Sequence, residues 1–458
     1  MVSLELFPYP SPRQGQIEIY DAVTNLISTN YSTSLEDRTI IIEAATGIGK
    51  TSAIISALLR AKEQRLIGRV WWFVWSHEHY SVIQREIGRI NVRYGRNFKV
   101  LHIKGMKHLC PVYNQINAPE PLRYQWCRYL CNLPNCQYKL QFKLIDFADV
   151  IVLPQSYLIT DLTNYIDERD VVVVDECHKL LETFIHVPRK EIEAELNDLP
   201  EHILLRKGYS YTLYLRDLLP LLDGRYCIST EDEYIYLIHF RRILERIPCK
   251  IVLVTATLPR VMRNIGYVCE IDDYPDELHK DIVILSCWKL PYRVRLREIS
   301  AIANFLKQLV TTVRSYGKEI VVFTPSTEYA TNLAKEVSTT IISEFTRYSH
   351  AIDIDADVIC VVSLGFSPPF EPEVKLFVRA YGRRTYFEVA FHRTVQVIGR
   401  MRKRGLVILV DKRYTERQYI YCPRWFREVY RNAYVTSKPE KVLDIVREKL
   451  GNEVLIEI

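Results

Sequence analysis

Residues 39–43, Thr-Ile-Ile-Ile-Glu, form a short apolar run, and the next eight carry two glycines and a lysine: Ala44, Ala45, Thr46, Gly47, Ile48, Gly49, Lys50 and Thr51. Residues 52–62 then take up a helical pattern. Few folds admit this order. A glycine turn between a buried strand and a helix aims backbone N–H groups and a helix N-terminus at phosphate. In that setting Lys50 reaches the outer phosphates and Thr51 helps hold Mg²⁺, while Thr46, Gly47 and Gly49 shape the cradle. The strict pattern has Gly where Ala44 stands, so the loop is a variant.

A second apolar run, residues 171–174, ends in Asp175, Glu176, Cys177 and His178. At a strand tip, Asp175 is placed to hold Mg²⁺ through its water shell, and Glu176 to orient and deprotonate an attacking water. His178 is placed to couple that chemistry to a nucleic acid or to a second lobe. Loop and box together point to nucleotide hydrolysis. Other short Val/Ile-rich runs lie at 70–75, 150–153 and 250–254, then at 281–285, 319–323, 357–361, 374–378 and 406–410. Continuous runs of this kind fit parallel sheets covered on both faces, and two sets of them predict two α/β lobes.

The 458 residues suffice for two to four structural units, and a formal charge of +6 permits a nucleic-acid partner without requiring one. The sequence contains neither an apolar run of about 18 residues nor a secretory pattern at Met1-Val2-Ser3-Leu4-Glu5, so an intracellular protein off the membrane is expected. Of eleven cysteines, Cys177, Cys227, Cys249, Cys269, Cys287, Cys360 and Cys422 are scattered and read mostly as small buried residues. Cys110, Cys127, Cys131 and Cys136 are clustered, which in a reducing compartment points to a metal or cluster. Thiolates suit zinc and iron–sulfur groups alike.

Several stretches resemble superfamily 2 helicases. The acidic box, Thr255-Ala256-Thr257, and Gln396-Val397-Ile398-Gly399-Arg400 are similar to motifs II, III and VI of that superfamily. Phe7-Pro8-Tyr9-Pro10 with Arg13-Gln14-Gly15-Gln16, the strand 148–153, and Leu409-Val410-Asp411-Lys412-Arg413-Tyr414 resemble its XPD/DinG iron–sulfur branch. The resemblance implies two RecA-like lobes, ATP and Mg²⁺ as cofactors, Gln16 reading adenine, Gln396 at the nucleotide, and Arg400 as an arginine finger. It also implies a 4Fe–4S cluster on Cys110, Cys127, Cys131 and Cys136, movement along single-stranded or forked DNA, and 5′→3′ polarity.

Two departures stand out. Lys403 occupies the place of a family arginine, with Arg402 or Arg404 as substitutes. Pro368-Pro369-Phe370-Glu371 replaces a Glu-Gly-x-Asp turn, with Glu371 standing in for the Asp.

On this reading residues 1–104, 144–178 and 248–260 make the first lobe. Residues 105–143 form the cysteine insertion, 179–247 a short, mainly helical, arch-like insertion, and 261–458 the second lobe. Basic and aromatic residues interleave at 123–128, 379–384 and 424–427, as a strand-binding track requires, whereas Arg241, Arg242 and Arg246 read as a solvated helix face. The expected activity is an ATP-driven DNA helicase or translocase acting as a monomer. The alternatives are an ATP-binding module for DNA junctions or ends, and an RNA helicase.

Overall fold

The computed structural model describes residues 4–456 other than 77, 118–122, 124–126, 128–132, 191–217, 344–353 and 417. The chain opens with helix α1 (Gln14–Ser28), strand β1 (Thr39–Glu43) and helix α2 (Lys50–Glu63). Strand β2 (Val70–Val74), helix α3 (Glu78–Tyr94), β3 (Val100–His102), β4 (Val150–Pro154) and β5 (Val171–Asp175) follow. A small excursion contributes β6 (Phe184–Pro188), β7 (Cys227–Ser229) and β8 (Glu233–Leu237). The chain then returns through β9 (Lys250–Thr255) and β10 (Tyr267–Glu270). The remaining strands are β11 (Lys280–Leu285), β12 (Ile320–Thr324), β13 (Thr340–Ser343), β14 (Val358–Val362), β15 (Gly405–Val410) and β16 (Tyr434–Thr436).

These strands build a seven-stranded sheet, order β10-β1-β9-β5-β2-β4-β3, and a six-stranded sheet, order β13-β12-β14-β15-β11-β16. Among the described residues every pairing within both sheets is parallel. Side chains alternate across a strand, so apolar runs without polar interruption supply two cores at once. Ile41, Phe73, Val172, Val174 and Leu253 enter one core of the first sheet. Ile40, Ile42, Trp72, Val173 and Val254 enter the other. The second sheet divides likewise, with Val283, Val322, Cys360 and Ile408 on one face and Ile284, Phe323, Val361 and Leu409 on the other. Burying each such side chain contributes about 1.5–3 kcal/mol, which explains why these runs fold as central strands.

Three expectations are corrected. Residues 374–378 are not a strand; they lie in the long helix Pro372–Ile398, with Pro372 preset for a first turn and Val374, Leu376, Phe377 and Tyr381 buried along it. The described part of 179–247 is not mainly helical: β6, β8 and β7 form a three-stranded antiparallel sheet, followed by a short helix, Phe240–Glu245. The first lobe also runs past residue 260, because β10 pairs with β1. The cysteine segment 105–143 has its own small core around Met106, Tyr113 and Tyr138. Among the described residues no helix is long and apolar enough to cross a membrane.

Candidate functional site at the lobe interface

The phosphate loop leaves the end of β1, and α2 begins at Lys50 directly after Gly49, whose φ of 90° lies in the left-handed region. A Cβ there would run into the Gln16 amide nitrogen, so Gly49 is needed both for its backbone and for the approach of Gln16. Gln16 is buried, and its Oε1 accepts from the Arg13 N–H at 2.9 Å. The Arg13 guanidinium reaches Gly47 O at 3.3 Å. Lys50 Nζ donates to Ala44 O and Ala45 O, both at 2.9 Å, inside the loop. Burial pushes the Lys50 ammonium down to about 8, against the pull of Glu176 and Asp175, which raise it. Thr51 lies partly buried in the first turn of α2.

The acidic box emerges at the end of β5, the edge where parallel sheets place their chemistry. Glu176 adopts φ 53°, an uncommon conformation for a glutamate. Burial raises the Asp175 carboxyl, although His79 and Lys50 pull the other way, so a cation beside it is favourable. Its Oδ2 stands 3.5 Å from His79 Nδ1. Burial would raise Glu176 too, but His178, Arg400, His79 and Lys50 outweigh it and hold the carboxyl at about 2. Arg400 and Lys50 carry that effect at neutral pH, because burial takes His178 itself down to about 4. Glu176 is thus an ionised carboxylate and His178 a neutral imidazole.

The tautomer of His178 follows from its partners. Thr255 Oγ1 donates to Thr257 O at 3.0 Å and accepts from the Thr257 N–H at 3.1 Å. It therefore accepts from His178 Nδ1–H, 3.0 Å away. His178 Nε2 is left as an acceptor, and the Gln396 amide nitrogen stands 2.8 Å from it. The second proton of that amide goes to Thr257 Oγ1, also at 2.8 Å. Acidic box, Thr255–Thr257 and Gln396 form one buried network across the two lobes. Sequence reasoning set Gln396 at the nucleotide; its amide meets His178 and Thr257.

Arg400 extends from the second lobe to place Nη2 4.0 Å from Glu176 Oε1. Gly399 makes this possible: a Cβ there would lie 2.8 Å from Thr46 Oγ1, so no larger residue lets the segment come so near the phosphate loop. Arg402 also reaches the loop, with Nη1 3.0 Å from where a Cβ on Gly47 would stand. Lys403 turns away and pairs with Asp355 at 2.8 Å and Asp357 at 3.1 Å. Three participants carried no motif signal. They are His79, the cross-lobe ion pair of Arg393 with Glu182, and Glu43, which accepts from Leu258 N–H at 2.8 Å beneath Thr255. His79 follows the end of β2, and that position in a parallel sheet was its one available clue.

Two of the expected stacking stretches are corrected. Trp425 and Phe426 are buried, with the indole N–H donating to Ala256 O at 2.8 Å. Tyr381 packs in the core against Phe240 and Phe377. Their spacing serves helix packing, although Arg383 and Arg384 remain exposed. Arg241 and Arg242 are tied to Glu36 and Asp223. Positions 124–126 and 128 lie outside the described residues.

In the cysteine segment Cys110, Cys127 and Cys136 are buried in one cluster, and the sulfurs of Cys110 and Cys127 are 3.5 Å apart. Cys131 lies outside the described residues. Among the described residues no three His, Cys, Asp or Glu side chains converge as a metal-ligand group.

Residues 9–206 match the family model described as Type III restriction enzyme, res subunit. A solved XPD helicase structure superposes with a TM-score of 0.65 at 16% identity, covering 93% of this chain and 100% of its own. S. tokodaii Xpd4 superposes at 0.56 and 14%, with the same coverage. The fold is the one these two structures share. No curated protein matches the sequence. In this fold the loop, the acidic box and Arg400 share the cleft between the lobes.

Proposed function

We propose that the chain hydrolyses ATP between its two lobes and couples the cycle to movement along single-stranded DNA, in the 5′→3′ direction. The observation that carries this reading is Arg400 of the second lobe facing Glu176 of the first at 4.0 Å, beside Lys50 and the phosphate loop. The ionised Glu176 takes the proton of an attacking water, and Arg400 and Lys50 stabilise charge developing on the outer phosphate. Asp175 and Thr51 would hold Mg²⁺, which supplies charge neutralisation at the phosphates. Closure brings Arg400 in and so makes hydrolysis depend on how the lobes stand.

The three buried thiols of Cys110, Cys127 and Cys136 are the chemistry of a thiolate-held group. With Cys131 they hold a 4Fe–4S cluster that stiffens the insertion. The 3.5 Å between two sulfurs also favours a second reading, one zinc ion, whose tetrahedral edge with ~2.3 Å bonds is about 3.8 Å. The turn bearing Pro368 and Pro369 favours an alternative for the whole chain, an ATP-binding module that holds DNA junctions without unwinding them.

ATP turnover measured with and without single-stranded DNA tests the motor reading, with RNA as competitor. Stimulation by DNA, weakly competed by RNA, is expected. Tight DNA binding without any turnover would establish the binding module instead.

A further inference from the structure

We propose that the second lobe captures one unstacked base of the bound strand in an aromatic pocket beside the Ser363–Phe370 turn. This rests on the strand-binding reading above. The pocket has a volume of about 770 Å³ and opens beyond the carboxyl ends of β11, β14 and β15. Parallel sheets place ligands at that edge.

Its walls are rings. Tyr292 and Phe370 meet edge to face at 5.1 Å. Phe366 packs against Tyr386 at 5.1 Å and against Phe387 at 5.3 Å. Phe370 is 55% exposed and Phe387 41%, so two large apolar faces stand open to solvent at one mouth. Isolated exposed rings need no explanation, but a set of rings lining one cavity offers π faces on which a base can stack.

Charge selects among flat ligands. Lys375 lines the same pocket, and its ammonium makes no hydrogen bond or ion pair among the described residues. It is placed for the phosphate of the captured nucleotide. Arg413 plays a different part, since it is bound to Asp411 at 2.6 Å and lies 4.9 Å over the Phe366 ring, which it fixes in place.

The pocket is wired to the cleft. Arg393 donates to Gly365 O at 3.1 Å and Ser367 Oγ at 3.0 Å, and its other nitrogen pairs with Glu182, which follows the acidic box. Tyr386 OH holds Ser367 O at 2.5 Å. A base wedged among the rings therefore bears on the turn that Arg393 ties to the first lobe. The Pro368-Pro369 departure from the family turn acquires a use here, as a stiff support for Phe370.

The test uses the full chain, an oligothymidylate carrying 2-aminopurine at successive positions, and the same strand with abasic sites in place of bases. Stacking quenches 2-aminopurine. Quenching at one register is expected, with affinity for the base-bearing strand falling about tenfold in the Phe370→Ala/Phe387→Ala double variant. Affinity for the abasic strand should be equal in both proteins, and Phe370→Trp should retain quenching. Both replaced rings are exposed, so an unchanged melting temperature is expected and serves as the folding control.

Equal losses on both strands, or no loss on either, would overturn the pocket while leaving strand binding intact. Equal quenching of free 2-aminopurine nucleotide would overturn the strand as its occupant. A wild-type protein that holds neither strand would overturn the nucleic-acid reading and the pocket with it.

Discussion

Replacing Gln396 with leucine keeps the volume of the side chain and removes both hydrogen bonds that its amide makes across the lobes. Each bond, to His178 Nε2 and to Thr257 Oγ1, is 2.8 Å long and buried. A buried hydrogen bond contributes about 1 kcal/mol net, and stranding its acceptor costs about 1–3 kcal/mol more. Water can reach only part of so closed a site, so the closed arrangement should lose about 3 kcal/mol, or roughly a hundredfold in population. DNA-stimulated kcat should fall by about that factor in Gln396→Leu. Affinity for ATP, measured without DNA, should stay within about threefold, because the amide touches the network and not the phosphate loop. A double-mutant cycle sharpens the test. In His178→Ala/Gln396→Leu the losses should not add, since both substitutions break the same bond. An unchanged kcat in Gln396→Leu, or losses that multiply in the double variant, would refute the coupling.

Lys50→Ala and Glu176→Gln should each abolish turnover, while Glu176→Gln still binds ATP in equilibrium titration. Arg402→Ala should weaken ATP binding about tenfold and Lys403→Ala by less than about twofold, since Arg402 reaches Gly47 and Lys403 is engaged by Asp355 and Asp357. The imidazole of His178 is pushed down to about 4 by burial, below its ordinary 6.5, so its contribution to stability is complete above pH 6.5 and is lost as pH falls towards 4. Melting temperature against pH should flatten across that window in His178→Asn. Anaerobically purified protein should show a broad band near roughly 400 nm that Cys110→Ser removes, whereas a colourless protein with stoichiometric zinc would replace the cluster with the single ion.

The central strands were legible because Val, Ile and Leu runs have few other fates, and the order of loop, box and Gln396–Arg400 announced the cleft. Residues 374–378 misled because Val374 and Val378 are β-branched, while Pro372 at the first helical position was the better signal. The small sheet was missed because Phe184–Pro188 and Glu233–Leu237 are short, are broken by polar residues such as His186 and Glu233, and pair only across a long excursion. Trp425 and Tyr381 looked like stacking platforms beside arginines, yet burial decides that question and neighbours in sequence do not. His79, Glu43 and the pair Glu182–Arg393 are single residues brought together by topology, and no local pattern marks them.

The long helix Pro372–Ile398 also works as a crank. At 1.5 Å per residue its two arms, 372–381 and 383–398, run about 15 Å and about 24 Å. One arm bears Phe377, Tyr381 and Arg379, which hold Phe240 and the carbonyls of Arg225 and Cys227 in the small-sheet excursion. The other arm carries Gln396 to the acidic box. Between them Gly382 departs from helical geometry, at φ 83° and ψ 161°. The first lobe grips both arms, so the break at Gly382 is the one point on this element where the two can turn against each other without unwinding a helical turn, and the lever each offers is set by its own length.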